Sequence, residues 1–273
     1  PIWILLNMDK SNIELFNDFD PVRASEKENG KPILYLDVLE SLLNELEITS
    51  TIIRPSTPDL VRFNIFARLN QGGLIVNGQE IRNAIYPGIW RNHISSISCS
   101  EIFLKFTENK ISKKRLVDHQ MILRVFALFA TNADRCQKNI LDEFLNHALI
   151  ELISDWDDKR WEIEIEKFFN GMKYSVEIFG EYAFRKLDST KLSRAPINKT
   201  IFEIQVFLLG SGKYSKSQIE HFIVNKEMIL EMMEYEMKNN KSFFDSLSSN
   251  TGSDSSFYIR KKKFEEIFEN FVG

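Results

Sequence analysis

Apolar residues recur at spacings of three and four between Asp157 and Lys186, and this pattern limits the fold more than any other feature. Residues at such spacings share one face of an α-helix, so the sequence predicts a long helix with that face against a core. The face consists of Trp161, Ile165, Phe168, Phe169, Met172, Val176, Phe179 and Ala183. Such a stripe could line a groove, but its spacing favours a core. We expect Gly171 to be a weak point of this helix.

Shorter segments with the same periodicity predict further helices, separated by joints rich in Gly, Pro or Ser. The predicted ranges are about 58–71, 78–86, 114–130, 198–209, 215–222, 226–238 and 256–271. Asn77 is the expected cap of the helix that begins at Gly78. We predict a polar loop from Asp188 to Ala195 and a flexible joint in the Ser-rich run from Ser246 to Ser256.

The first 55 residues follow a different pattern. An apolar run from Trp3 to Leu6 and a Thr-rich run from Ile48 to Ile53 are typical of β-strands. Between them, the stretch from Asp18 to Lys31 is polar and contains the turn signal Asn29-Gly30, which predicts a loop. A segment with helical spacing begins at Asp37.

The composition excludes several classes of protein. The chain has 273 residues, of which 43% are hydrophobic, and a net charge of -4, so it can form one large or two small domains and is not basic overall. Its longest apolar runs, such as Ile2 to Leu6 and Ile204 to Leu209, are far shorter than the roughly 20 residues of a membrane helix. Cys99 and Cys136 are expected to be small core residues in a reducing compartment, without a zinc site. Pro1 at the first position suggests an internal point of a longer chain.

A distinctive motif runs from Ile65 to Gly73 as Ile-Phe-Ala-Arg-Leu-Asn-Gln-Gly-Gly, and resumes from Asn77 to Tyr86 as Asn-Gly-Gln-Glu-Ile-Arg-Asn-Ala-Ile-Tyr. It resembles the ParB/sulfiredoxin-like domain family found at the N-terminus of GmrSD-type restriction endonucleases. Weaker matches follow in the order of that family at residues 118–128, 196–203 and 251–253. Together they cover nearly the whole chain.

The resemblance implies an α+β fold, and the helical periodicity predicts that it is predominantly α-helical. Residues 1–55 would be a remnant of a ParB/sulfiredoxin-like α/β core with part of its sheet, and residues 56–273 would form a helical, bundle-like domain. The chain would then be the C-terminal, mostly helical portion of the family domain.

The resemblance also implies a prokaryotic, cytoplasmic defence protein whose complete form binds and hydrolyses a nucleoside triphosphate and acts on foreign DNA. Family members carry an Asp-Gly-Gln-Gln-Arg motif, taken to bind and hydrolyse nucleotide, and this sequence has no Asp-Gly dipeptide. We therefore predict that this chain alone holds no catalytic residue and no cofactor. Its four histidines are too scattered for an HNH-type nuclease centre. The resemblance implies DNA and a separate nuclease domain or subunit as partners. The oligomeric state is left open.

A second hypothesis is a non-enzymatic helical module that binds DNA or a partner protein. The acidic balance of the chain weakens the DNA form of this hypothesis. A self-contained hydrolase is disfavoured, because the sequence has no Gly-x-Ser-x-Gly motif and no cysteine in a charged setting.

The polar residues of the motif form the candidate nucleotide-binding site, namely Arg68, Asn70, Glu80 and Arg82. Two predicted helices meet there at Gly72-Gly73, whose exposed amides, with the positive end of the next helix, could hold a phosphate. Alternatively, the glycines only end one helix, Asn77 caps the next, and Arg68 pairs with Glu80.

Other charged residues admit two interpretations each. Arg124 lies in an apolar helix and either pairs with a carboxylate, which we favour because buried charge needs a partner, or contacts a phosphate. The basic runs Lys113 to Arg115 and Arg260 to Lys263 could contact a nucleic-acid backbone, although such runs are more often solvated faces. His119 and His147 are expected to be packed or capping residues rather than metal ligands.

Overall fold

The structure is a computed structural model that describes residues 27–28, 31–32, 44, 54, 56–58, 61–62, 65, 76–134, 140–188, 190, 193–249 and 251–272. The chain divides into two compact units, Pro1–Ser56 and Thr57–Gly273. Each unit is considered by itself below.

In the first unit, strand β1, Lys27–Glu28, pairs antiparallel with strand β2, Lys31–Pro32. The loop predicted from Asp18 to Lys31 is therefore wrong at the residues that lie in these strands. An Asn-Gly pair between two short segments favours a β-hairpin, which explains the difference. Two residues on each side do not make the predicted sheet remnant. The strands predicted near residues 3–6 and 48–53 lie outside the described residues, so the assignment of this unit to a ParB/sulfiredoxin-like core stays a prediction.

The described part of the second unit is helical, which confirms a predominantly α-helical protein. Its helices are α1 Gly78–Ile85, α2 Trp90–Cys99, α3 Glu101–Phe106, α4 Val117–Thr131, α5 Leu141–Glu151, α6 Asp158–Phe179, α7 Lys199–Gly210, α8 Lys216–Val224, α9 Lys226–Asn239, α10 Lys241–Ser248 and α11 Asp254–Glu269. Short 3-10 turns lie at Lys114–Leu116, Ile153–Asp155 and Gly180–Tyr182. Within the part of the chain that is described, no helix combines the length and apolar character needed to cross a membrane.

Helices α6 and α7 form the centre of the core. The apolar face predicted for α6 packs in the core and does not line a groove, since Trp161, Phe168 and Phe179 are fully buried. Gly171 is not a weak point but the place where α6 meets α7: a Cβ atom added there would lie 2.2 Å from the carbonyl oxygen of Val206. The two backbones can approach this closely only because Gly171 has no side chain.

Several boundaries differ from the prediction. Helix α6 ends at Phe179 rather than near Lys186, because Gly180 has a φ of 54°, which a continuing right-handed helix cannot contain. Helices α2, α3 and α10 were not predicted. The expected Ser-rich joint is shorter than predicted, since α10 continues to Ser248 and α11 begins at Asp254.

The prediction that Cys99 is a core residue is wrong, because Cys99 is exposed. Cys136 lies outside the described residues.

A buried arginine cluster as the candidate functional site

The first turn of α1 is fixed by its cap. The Oδ1 atom of Asn77 accepts hydrogen bonds from the backbone amides of Gln79 (2.9 Å) and Glu80 (3.0 Å). The Glu80 carboxylate accepts in return from the amide of Asn77 at 2.8 Å, which completes a capping box. The predicted cap is therefore confirmed, and it fixes how the side chains of α1 are presented.

Glu80 takes part in this cap and in an ion pair. Its carboxylate also accepts a hydrogen bond from the Arg115 guanidinium at 2.9 Å, and the Asn77 side chain donates to the carbonyl of Arg115 at 2.8 Å. The hydrogen bond from Arg115 lowers the pKa of Glu80. Arg68 and Asn70 lie outside the described residues, so their expected place beside Glu80 stays a prediction.

Arg82, two residues further along α1, is fully buried. Its Nε atom donates to Gln79 Oε1 at 3.0 Å, and its Nη1 atom donates to Asp142 Oδ1 at 2.8 Å and to Asn146 Oδ1 at 3.3 Å. Arg82 Nη2 and Gln79 Nε2 are buried and have no hydrogen-bond partner among the described residues. Two neighbouring side chains of α1 thus each present a donor that lacks an acceptor.

Arg124 of α4 is paired with a carboxylate, as predicted. Its Nε atom donates to Glu203 Oε2, and Arg260 of α11 donates from Nη2 to the other oxygen, Oε1, at 2.9 Å. All three residues are buried. The partner is not the nearby Asp118, which accepts a hydrogen bond from the Ser98 hydroxyl.

The sequence analysis did not assign Arg260 to this cluster, because it grouped the residue with a basic run. A signal existed on α7: Glu203 is the single charged residue between Thr200 and Gly210, where every residue is buried. A carboxylate in such a segment needs cationic partners from other helices.

We define the arginine cluster as Arg82, Arg124, Arg260, Glu203 and Asp142. It holds three positive and two negative charges. Burial lowers the pKa of Arg82, the Asp142 carboxylate opposes this effect, and Arg124 lowers that pKa further, which places the two arginines within electrostatic reach of each other.

Lys199, at the start of α7, adds to the positive surroundings. Burial lowers the pKa of Lys199, and Arg124 lowers it further. Buried charge of one sign is costly, so the surplus favours the binding of an anion.

The basic runs offer less to an anion than their sequence suggests. Arg260 is buried in the cluster, and the other members of its run are paired with acids of their own surface. These pairs are Lys261 with Glu265, Lys262 with Glu266, and Lys263 with both Glu236 and Glu266. In the other run, Arg115 is bound to Glu80.

No group of three potential metal ligands is present among the described residues. His93 stacks on Trp161, with ring centroids 4.6 Å apart, and His119 is partly buried. Burial lowers the pKa of His119, which favours its neutral form.

A surface depression of about 530 Å³ is lined by Tyr182, Lys186, Arg194 and Phe244 among others, and by no residue of the cluster. Its charged lining is balanced, because Glu181 and Asp188 offset the two cationic residues. It therefore attracts an anion less than the arginine cluster does.

No family model matches the chain, and neither a curated protein nor a solved structure matches it. The resemblance to the restriction-associated family therefore rests on the motif residues themselves.

Proposed function

We propose that the chain is the helical part of a cytoplasmic, restriction-type defence protein that binds a nucleoside triphosphate through the arginine cluster. The complete protein hydrolyses the nucleotide and acts on foreign DNA, with a nuclease domain or subunit as its partner. The observation that supports this best is the fully buried Arg82, which belongs to the motif and lies in a cluster with surplus positive charge. Its Nη2 atom has no hydrogen-bond partner within the described part of the chain.

The residues have different roles in this proposal. Arg82 contacts a phosphate group, and Arg124 raises the local positive potential behind it. Glu80 holds α1 in position through its bonds to Asn77 and Arg115. Arg68 and Asn70 contribute further contacts from the preceding part of the motif. The hydrolytic residues come from a segment with the Asp-Gly-Gln-Gln-Arg motif, so this chain alone does not hydrolyse nucleotide.

Calorimetric titration of the chain with ATP and GTP tests the proposal. Arg82→Lys keeps the charge but removes the planar fork of donors, so we expect it to weaken binding at least about tenfold. Arg160→Lys is the matched control, because Arg160 is an exposed residue of α6 outside the cluster, and it should bind like the wild type. Thermal melting verifies that both variants fold. Equal binding by Arg82→Lys, or phosphate release by the chain alone, would overturn the proposal.

A second candidate is a non-enzymatic module that binds a partner protein. It is favoured by exposed apolar residues on α8 and α9, where Val224 is 82% and Tyr235 65% exposed. Size-exclusion chromatography with light scattering detects self-association, and a gel shift at low and high salt detects DNA binding. A shift at low salt that is lost at high salt would favour DNA over a protein partner.

A further inference from the structure

We propose that Asp142 occupies the position of a phosphate group, and that a bound phosphate displaces its carboxylate from Arg82. The inference rests on the proposed function, because it assigns the contact that the phosphate of the nucleotide makes in the same site. It identifies the ligand group as a phosphate dianion and Asp142 as the residue that controls access to Arg82.

The Asp142 carboxylate lies where the structure favours an anion. Its Oδ1 atom is 2.8 Å from Arg82 Nη1. It also lies directly against the first residue of α1, since a Cβ atom added to Gly78 would be 2.4 Å from that oxygen. The N-terminus of a helix carries a partial positive charge, so α1 and Arg82 attract the same anionic group.

The Asp142 side chain is 45% exposed, whereas that of Arg82 is not exposed at all. A partly exposed carboxylate can rotate into water. In this proposal its departure opens the space beside Arg82 Nη1 to an anion from solution.

The carboxylate does not satisfy the donors around it. It accepts from one terminal nitrogen of Arg82, whereas Arg82 Nη2 and Gln79 Nε2 remain buried without an acceptor among the described residues. A carboxylate and a phosphate can each bind a guanidinium through two parallel hydrogen bonds, but a phosphate has more acceptor oxygens and can accept from a neighbouring donor as well. Phosphate therefore matches this set of donors better than Asp142 does.

The net positive charge of the cluster also favours phosphate as the ligand. Three arginines and Glu203 leave two positive charges once Asp142 has turned away. A phosphate dianion neutralises both, whereas the Asp142 carboxylate neutralises only one. Exchange of the carboxylate for phosphate would thus reduce the surplus of positive charge around the buried guanidinium groups, which is costly.

Isothermal titration with inorganic phosphate, pyrophosphate and ATP tests this exchange on the full chain. Asp142→Asn removes the competing charge with almost no change of shape, so phosphate should bind about tenfold more tightly than to the wild type. Glu151→Gln is the matched control, because it removes an exposed carboxylate from the same helix. It should leave the affinity unchanged. Adding Arg82→Lys to Asp142→Asn should abolish the gain.

A second variant tests the same site without changing Arg82, in case the Arg82 variants do not fold. Gly78→Ala in the Asp142→Asn background places a methyl group in the same space and should also abolish the gain. Unchanged or weaker phosphate binding by Asp142→Asn overturns the inference, and so does equal gain in Glu151→Gln. Absence of phosphate binding in every variant overturns it as well.

The outcomes for nucleotide separate this inference from the proposed function. ATP binding that is equal in the wild type and Asp142→Asn, but weakened by Arg82→Lys, would retain nucleotide binding and overturn displacement. Tighter phosphate binding by Asp142→Asn without any ATP binding would retain displacement and overturn the nucleotide function.

Discussion

Arg260, in the last helix, donates a hydrogen bond to Glu203, in the middle of the most buried helix, across 2.9 Å. The same arginine donates to the carbonyl of Ser246 at 2.7 Å, so it also fixes the end of α10 against α11. Arg124 binds the other oxygen of Glu203. One carboxylate therefore joins α4, α7 and α11, and the position of the arginine cluster depends on it.

Replacing Glu203 with Gln should strongly destabilise the protein. The substitution leaves two buried guanidinium groups without their counter-charge, and loss of one member of a buried ion pair costs about 3–5 kcal/mol. Urea denaturation followed by circular dichroism measures the change. Glu177→Gln breaks a more exposed pair with Lys173 and should change the free energy of unfolding by less than about 0.5 kcal/mol. Similar losses in both variants would contradict a buried, shared carboxylate.

Arg124 shows how far the sequence determines this site. A charged residue in an apolar helix must find a counter-charge, so its pairing with a carboxylate could be predicted. The identity of the partner could not, because Glu203 lies 79 positions away and only the packing of α4 against α7 brings the two together. Arg260 was missed because the lysines next to it in the sequence made it resemble a surface residue. Its contact with Glu203 also depends on the packing of distant helices.

Gly171 illustrates the corresponding limit for the fold. Helix propensity describes how well a residue fits into a single helix, without regard to neighbouring helices. By that measure Gly171 weakens α6. Its contact with α7 is a property of two helices and has no local signature. The periodicity of α6 and the cap at Asn77 depend on neighbours within a few positions, and these features were predicted correctly.

Gly171→Ala should therefore destabilise the protein instead of strengthening α6. The added methyl group would meet backbone atoms of α7, which cannot rotate away, and overpacking of this kind typically costs about 1–3 kcal/mol. Thermal denaturation gives the change in stability. Glu162→Ala, at an exposed position of the same helix, should have little effect. An increase in the melting temperature of Gly171→Ala would show that α6 and α7 do not approach as closely as the structure indicates.

The pH dependence of stability should reveal Glu108, which accepts from Lys110 and Arg194 and lies 3.3 Å from Arg185. The hydrogen bond from Lys110 and the arginines beside it lower the pKa of Glu108 to about 2. A carboxyl group with a depressed pKa in the folded state stabilises the protein above its unfolded value of 4.5, and this contribution is lost as the pH falls to about 2. Glu108→Gln should thus melt below the wild type at pH 6.

The two melting temperatures should converge as the pH falls from 4.5 towards 2, because the wild-type carboxyl group then takes up a proton. Glu220→Gln, at an exposed position of α8, is the control and should follow the wild type at every pH. A difference between Glu108→Gln and the wild type that stays constant across this range would show that the charge of Glu108 does not contribute.

Asn77 links the cap of α1 to the arginine cluster, because it fixes the turn from which Gln79 and Arg82 project. Asn77→Ala removes the side-chain acceptor of two amides and the donor to Arg115, and loss of such a cap costs about 1 kcal/mol. Asn77→Ser keeps a side-chain acceptor for these amides and loses the bond to the Arg115 carbonyl, so it should retain most of the stability. Hydrogen exchange of the α1 amides should be faster in Asn77→Ala than in Asn77→Ser. If both exchange like the wild type, then α1 is held by Arg82 and its partners on α5, and the capping box contributes little.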